Sequence, residues 1–261
     1  VPVERQTIDL NADLGEASDD AGRETERALL GLVTSAHIAC GGHAGDEASM
    51  REMVLIARDG GVRVGAHPSY PDRAGFGRRP MEMGAGDLAA SLRQQIGALV
   101  EVAGALGTHV SSVKAHGALY GEVARTRSTT RALLDVVLEL CGPDASVVLP
   151  AGAAAVEWAQ QAGFTVLQEG FADRAYTAQA ELAARHQPGA VYRDPAAAAA
   201  QALGLATEGT VAAVDGTVLT LAVDTLCVHG DSPNAPDMAR AVRRALRDAG
   251  IAVVAPSASA D

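Results

Sequence analysis

Apolar stretches of strand length alternate with helical periodicities along the whole chain, about seven times over. Such alternation restricts the fold to a parallel sheet whose crossovers are helices. Strand candidates are Thr7–Leu10, Thr34–Cys40, Val62–Gly65, Val110–Lys114, Ser146–Leu149, Phe164–Leu167 and Leu221–Val228. Between them, Met50, Met53, Val54 and Ala57 share one helix face, as do Leu88, Leu92, Ile96, Leu99 and Ala103, with Asp87 placed to cap the start. Leu133 to Leu140 and Gly152 to Ala162 read as two more helices. Asp194-Pro195 reads as an N-cap followed by proline at the first helical position, and Ser232-Pro233 opens the last helix. Asp215-Gly216, between alternating apolar residues, signals a type I′ hairpin inserted over 210–221. No linker interrupts residues 1–261, so the expectation is one domain.

A closed barrel and an open doubly wound sheet both satisfy this alternation. The polar residues discriminate, because ligands of parallel α/β folds bind beyond the C-terminal ends of the strands. The strand ends read IDLNADLGE, HIACGGHAGD, VGAHPSYPD, SVKAHGALY, VLQEGFADRAY and DTLCVHGD. Four of the seven histidines lie there: His43, His67, His116 and His229. Asp9, Asn11, Asp13, Glu16, Lys114, Asp173 and Asp231 join them. A barrel converges these residues on one mouth, whereas an open sheet spreads them along an edge. The fold expected is therefore a distorted TIM-like (β/α) barrel of about seven parallel strands with a small β-hairpin insertion.

Basic residues number 21, and Lys114 is the only lysine among them. A position that stays lysine in an arginine-rich chain points to a compact point charge, or to an amine able to lose its proton. Other features have plainer readings beside the functional ones. Asp46 and Asp231 precede helices, where aspartate serves as an N-cap. Arg78-Arg79 is either a clamp for a carboxylate or phosphate, or a solvated pair. His37, His109 and His186 read as structural, and Cys40 and Cys227 as buried thiols.

Composition excludes several classes. A net charge of −11 with 3% aromatic residues suits neither nucleic-acid backbones nor base stacking. No apolar run approaches the roughly 20 residues of a membrane span, and the start VPVERQTIDL has no signal-peptide pattern, so the expected compartment is the cytoplasm. The stretch GGHAGD lacks the lysine of a Walker loop and the spacing of a dinucleotide loop. No local histidine pair anchors a metal; any ion would draw on Asp13, His43, His67 and His116 from separate strands.

Together, IDLNADLGE, SAHIACGGHAGD, GAHPSYPDRAGFGRR, VKAHGALY, FADRAY and CVHGDSPNA resemble, in order, the signatures of the LamB/YcsF family, described as the A subunit of the bacterial 5-oxoprolinase. The resemblance spans essentially the whole chain. It implies a distorted barrel similar to those of carbohydrate and amide deacetylases. It also implies opening of 5-oxo-L-proline to L-glutamate with ATP as co-substrate, in a complex with subunits B and C. Asp13, His43, His67, Lys114, His116, Asp173 and His229 would carry the chemistry. Asn11, Glu16, Asp46, Arg79, Arg174 and Asp231 would bind substrate. The chain departs from the family pattern at Ala12, His37, Gly42, Ala115 and Gly121. Of these, Gly42 and Gly121 are expected to reshape the pocket. Two other readings remain: a self-sufficient metal-dependent amidohydrolase, and a non-catalytic binding subunit.

Overall fold

The computed structural model describes residues 6–231 and 234–256. Seven parallel strands close into a barrel: β1 (Thr7–Leu14), β2 (Ser35–Ala39), β3 (Arg63–His67), β4 (Ser112–Lys114), β5 (Ser146–Pro150), β6 (Val166–Phe171) and β9 (Thr225–Cys227). Closure comes from β1 alone, which pairs with β9 over Asp9 to Asn11 and with β2 over Asn11 to Leu14. A short strand β10 (Ala252–Val253) adds to the start of β1, an element that hydrophobic periodicity did not reveal. The outer ring of helices comprises α1 (Asp20–Leu30), α2 (Glu47–Asp59), α3 (Ala85–Ala105), α4 (Gly117–Arg125), α5 (Arg127–Cys141), α6 (Ala154–Gln161), α7 (Pro195–Thr207) and α8 (Ala235–Asp248). Neither α1 nor α4 was expected from the sequence.

Two local expectations are corrected. The N-cap of α3 is Gly84, with Asp87 inside the helix's first turn rather than at the cap. The hairpin of β7 (Thr210–Ala212) and β8 (Val218–Thr220) is antiparallel as expected, but its turn is not type I′. A type I′ turn needs positive φ at both central residues, and of Asp215 and Gly216 only Gly216 has it. Ala213 O accepts from Gly216 N, and Ala213 N donates to Thr217 O. The loop is therefore three residues closed by a left-handed glycine. Asp194 caps α7 through Ala196 N, with Pro195 at the first helical position. The predicted opening of the last helix at Ser232-Pro233 lies outside the described residues.

Strand alternation puts two different environments on the faces of β1. Leu10, Ala12 and Leu14 belong to the apolar core, whereas Asp9, Asn11 and Asp13 point into the barrel. The interior is consequently polar. Asp9 accepts from Ser35, Thr34 and Thr225 at the base. One layer up, Asn11 donates to Glu169 and Thr225, and its carbonyl faces His37 Nδ1 at 3.3 Å. His37 Nδ1 donates to that carbonyl, which leaves Nε2 to accept from Ser112 Oγ at 3.3 Å. The ring fits only because its neighbour in register is Gly65. A Cβ on Gly65 would stand 2.5 Å from His37 Cδ2 and 2.6 Å from Ser112 Oγ.

Gly65→Ala is accordingly expected to destabilise the fold by about 1–3 kcal/mol in urea unfolding, the usual cost of overpacking. His37→Asn, a smaller side chain, should recover part of that loss in the double variant. Additive effects would show that the two positions do not share the space.

Candidate active site at the barrel mouth

Lys114 ends β4 with its side chain inside the barrel, 2% exposed. Its Nζ lies 2.7 Å from Glu169 Oε1 and 2.9 Å from Asp13 Oδ1, with Asn11 Oδ1 and Cys227 Sγ each at 3.3 Å. Burial alone would lower the lysine's ionisation, but Asp13 and Glu169 outweigh it and hold the ammonium well above its ordinary value. Of the two roles open to the lone lysine, the geometry supports the fixed positive charge. Glu169 also accepts from Tyr120 Oη at 2.6 Å. Glu169, Tyr120 and Cys227 are members of this site that sequence reasoning passed over. The signal for Glu169 was a carboxylate two residues before inward-facing Phe171 and four before Asp173.

Above the lysine stands a histidine cluster whose protonation follows from its partners. His67 Nδ1 faces the Lys114 carbonyl at 2.8 Å, and His116 Nε2 faces the Phe76 carbonyl at 3.0 Å. Carbonyls only accept, so both nitrogens carry protons. The remaining nitrogens, His67 Nε2 and His116 Nδ1, face each other at 3.0 Å. Only one cation can sit there, a shared proton or a metal ion. Carboxylates surround this point: Asp13 Oδ2 is 3.4 Å from His67 Nε2, and Glu16 Oε1 is 3.3 Å from His116 Nδ1. Burial lowers His67, but Asp13 reverses this and leaves it raised. His116 remains lowered, with burial outweighing Glu16.

His43 stacks on His116, ring centroids 3.7 Å apart and planes 3° from parallel. Its Nε2 is 2.9 Å from Glu16 Oε1, while Nδ1 is buried without a hydrogen-bond partner. Burial pulls His43 down to about 4. Glu16, Gly15's successor in a left-handed turn, is turned inward; hydrogen bonds from His116 and His43 overcome its burial and keep it ionised. Glu16, His43, His67 and His116 each offer a ligand atom within 4.8 Å of the others, and so do Asp13, Cys227 and His229. The first set carries the features of a cation cradle: two imidazoles oriented by backbone carbonyls, and an orphaned buried nitrogen beside them.

On the far side, Asp173 accepts from His229 twice, from Nδ1 at 2.9 Å and from the backbone amide at 3.0 Å. The carboxylate fixes the Nδ1–H tautomer and leaves Nε2 as the basic position. Asp13, Glu16, His67, Lys114, His116, Arg174 and His229 all border one cavity of about 590 Å³.

The predicted binding residues other than Glu16 are engaged by partners within the protein. Asn11 lies below the cavity, in the barrel interior. Arg79 is ion-paired with Asp72, and its side chain is 64% exposed. Asp46 is the N-cap of α2, in a reciprocal capping box with Ser49. Arg174 spends its guanidinium on the carbonyls of Ala190 and Ala183. Asp231 bridges Arg78 and Arg185 at the rim. Gly42 opens no pocket: a Cβ there would overlap the amide of Gln95 and the hydroxyl of Ser69. Gly121 borders an adjoining cavity of about 480 Å³ that shares Gly117, Tyr120, Phe171 and Leu182 with the first.

Burial would raise the Asp13 carboxyl, but His67 and Lys114 hold it well below the ordinary carboxylate range near 4. A depressed folded-state value adds stability above about pH 4 that is lost as the pH falls from there through that value. Between pH 6 and pH 3 the parent chain should therefore lose more of its urea midpoint than Asp13→Asn. Parallel losses would place Asp13 outside the ionic network.

The described helices include none long and apolar enough to cross a membrane. The model of the LamB/YcsF family matches residues 8–261. The 5-oxoprolinase A subunit of Paracidovorax citrulli is 49% identical over 94% of this chain and 98% of its own length. That of Methylococcus capsulatus is 47% identical over 96% of each. A lactam utilization protein from Thermus thermophilus superposes with a TM-score of 0.86 at 42% identity, covering 96% of this chain and all of that one. With a match across nearly its whole length and close relatives at both levels, the chain belongs to the LamB/YcsF family.

Proposed function

We propose that this chain is the A subunit of a cytoplasmic ATP-dependent 5-oxoprolinase, opening the lactam of 5-oxo-L-proline to L-glutamate together with subunits B and C. The observation that carries the reading is a buried ammonium flanked by oriented histidines at the floor of a cavity sized for a small molecule. A five-membered lactam is a weak electrophile and its opening is uphill, which is the reason for coupling to ATP. Transfer of the terminal phosphoryl group to the lactam oxygen makes the ring carbon electrophilic. Water then adds to that carbon, the C–N bond breaks, and the nitrogen takes up a proton. A second water releases phosphate from the acyl phosphate that results. The chain has no standard nucleotide loop, so ATP is assigned mainly to the partners.

The residues divide by what each offers. Lys114 holds positive charge beside the oxygen that becomes negative. His229, oriented by Asp173, presents Nε2 as the base toward water. The His67–His116 pair carries the proton that the leaving nitrogen needs. A second reading rests on the cation cradle: Glu16, His43, His67 and His116 fit a divalent metal. Such an ion would polarise the carbonyl and acidify water, with no need of ATP.

The test is 5-oxo-L-proline cleavage by the chain alone, with ATP, and with the partner subunits. Turnover only in the complete mixture, unaffected by a chelator, supports the first reading. ATP-independent turnover that a chelator abolishes supports the second. Lys114→Arg should lower kcat at least 100-fold in the complete mixture, since a planar fork cannot occupy the ammonium's place between Asp13 and Glu169. Near-normal turnover in that variant, or in His67→Ala and His116→Ala, would leave the chain a binding subunit only.

A further inference from the structure

Three guanidiniums, those of Arg78, Arg174 and Arg185, border the cavity in a chain whose net charge is −11. Arg78 comes from the loop after β3, and Arg174 and Arg185 come from the long loop after β6. Arg174 is already committed to the two carbonyls that hold that loop. Arg78 and Arg185 converge instead on a single oxygen, Asp231 Oδ2, at 2.8 and 2.6 Å. Asp231 belongs to a third loop, the one after β9, and its side chain and both guanidiniums are partly exposed. Two cations thus share one carboxylate oxygen at the edge of the site. Burial, helped by the nearby charge of Arg185 and opposed by Asp173 and Asp231, pulls Arg174 down to about 10.

We propose that Arg78 and Arg185 form a carboxylate-binding subsite at the mouth, and that Asp231 fills it as an internal stand-in that a substrate's carboxylate displaces. The chemistry of the occupant is read from the group already there. A carboxylate engages guanidinium forks through two oxygens, and Asp231 uses only one of its own on this pair. Both arginines border the cavity that ends on Lys114, so a small molecule anchored by its carboxylate at the rim extends its other end toward the ammonium. The ligand class is a small cyclic amide bearing one carboxylate; choosing 5-oxo-L-proline as its example rests on the reaction proposed above. The subsite also replaces a sequence expectation. Of the pair Arg78-Arg79, the first faces the mouth, and the second, expected to bind substrate, is tied to Asp72.

The experiment is a binding titration of the full chain, followed by NMR, with 5-oxo-L-proline and with 2-pyrrolidinone, the same lactam without its carboxylate. The parent chain should bind the acid at least tenfold more tightly than the lactam. Arg78→Ala and Arg185→Ala should each weaken the acid about tenfold or more and leave the lactam within twofold, which also shows that the variants are folded. Asp231→Asn, which empties the stand-in's charge, should tighten the acid three- to tenfold. Equal weakening of both ligands, weaker acid binding by Asp231→Asn, or no acid binding by the parent chain would each overturn the subsite. A chain that shows the expected pattern, yet opens no lactam with ATP and partners, keeps the subsite and loses the reaction.

Discussion

A lysine ammonium buried inside the barrel between two carboxylates is the interaction on which the rest of the site depends. Taking these three charges out of water is costly, and each is held only because the others are within hydrogen-bond reach. Removing a single partner from such a buried group typically costs about 3–5 kcal/mol, because it leaves an uncompensated charge. The partners come from β1, β4 and β6, so the pairing ties three separate strands across the barrel interior. It also aligns the site: Asp13 reaches on to His67, and Glu169 reaches on to Tyr120. Displacing Lys114 would disturb both sides of the mouth at once.

A polar interior changes where the barrel finds its stability. Barrels of this class usually fill their centre with branched apolar side chains. Here Asp9, Asn11, His37, Ser112, Thr225 and Glu169 occupy it, each with a partner. The apolar contribution comes from the other face of the strands, where Leu10, Leu14, Ile38 and Val113 lie among the core residues under the helices. This division has a functional consequence. Hydrogen-bonded layers beneath the mouth hold the catalytic candidates in fixed rotamers without adding apolar bulk that would fill the cavity.

Much of this was legible in the linear chain. The seven-strand alternation, the convergence of His43, His67, His116 and His229, and the isolation of Lys114 are local patterns that survive folding unchanged. Other features were hidden for identifiable reasons. Glu169 stands within the strand-end stretch VLQEGFADRAY, but that it faces Lys114 is decided only by the extension of β6 to Phe171 and the barrel's closure. Asp46 and Arg79 have the right residue types near the right strands, yet a capping box and an ion pair with Asp72 satisfy each of them locally. Gly42 suggested added space, but Gln95, more than fifty residues away in sequence, occupies it. The hairpin turn at Asp215-Gly216 was placed correctly and typed wrongly, because a dipeptide does not determine φ at its first residue.

By itself, the sequence determined the repeating strand–helix units, the order of the strand-end motifs and the family to which the chain belongs. These depend on hydrophobic period and residue type, both of which are written locally. Tertiary structure alone decided which polar residues meet: Lys114 with Glu169, Asp173 with His229, and Arg78 and Arg185 with Asp231. It also decided that His67 and His116 share one cation, since that follows from which carbonyl each ring faces. The reason is physical. Barrel closure sets the relative height and rotation of seven strands, and hydrogen-bond partners at about 3 Å exist only once that geometry is complete.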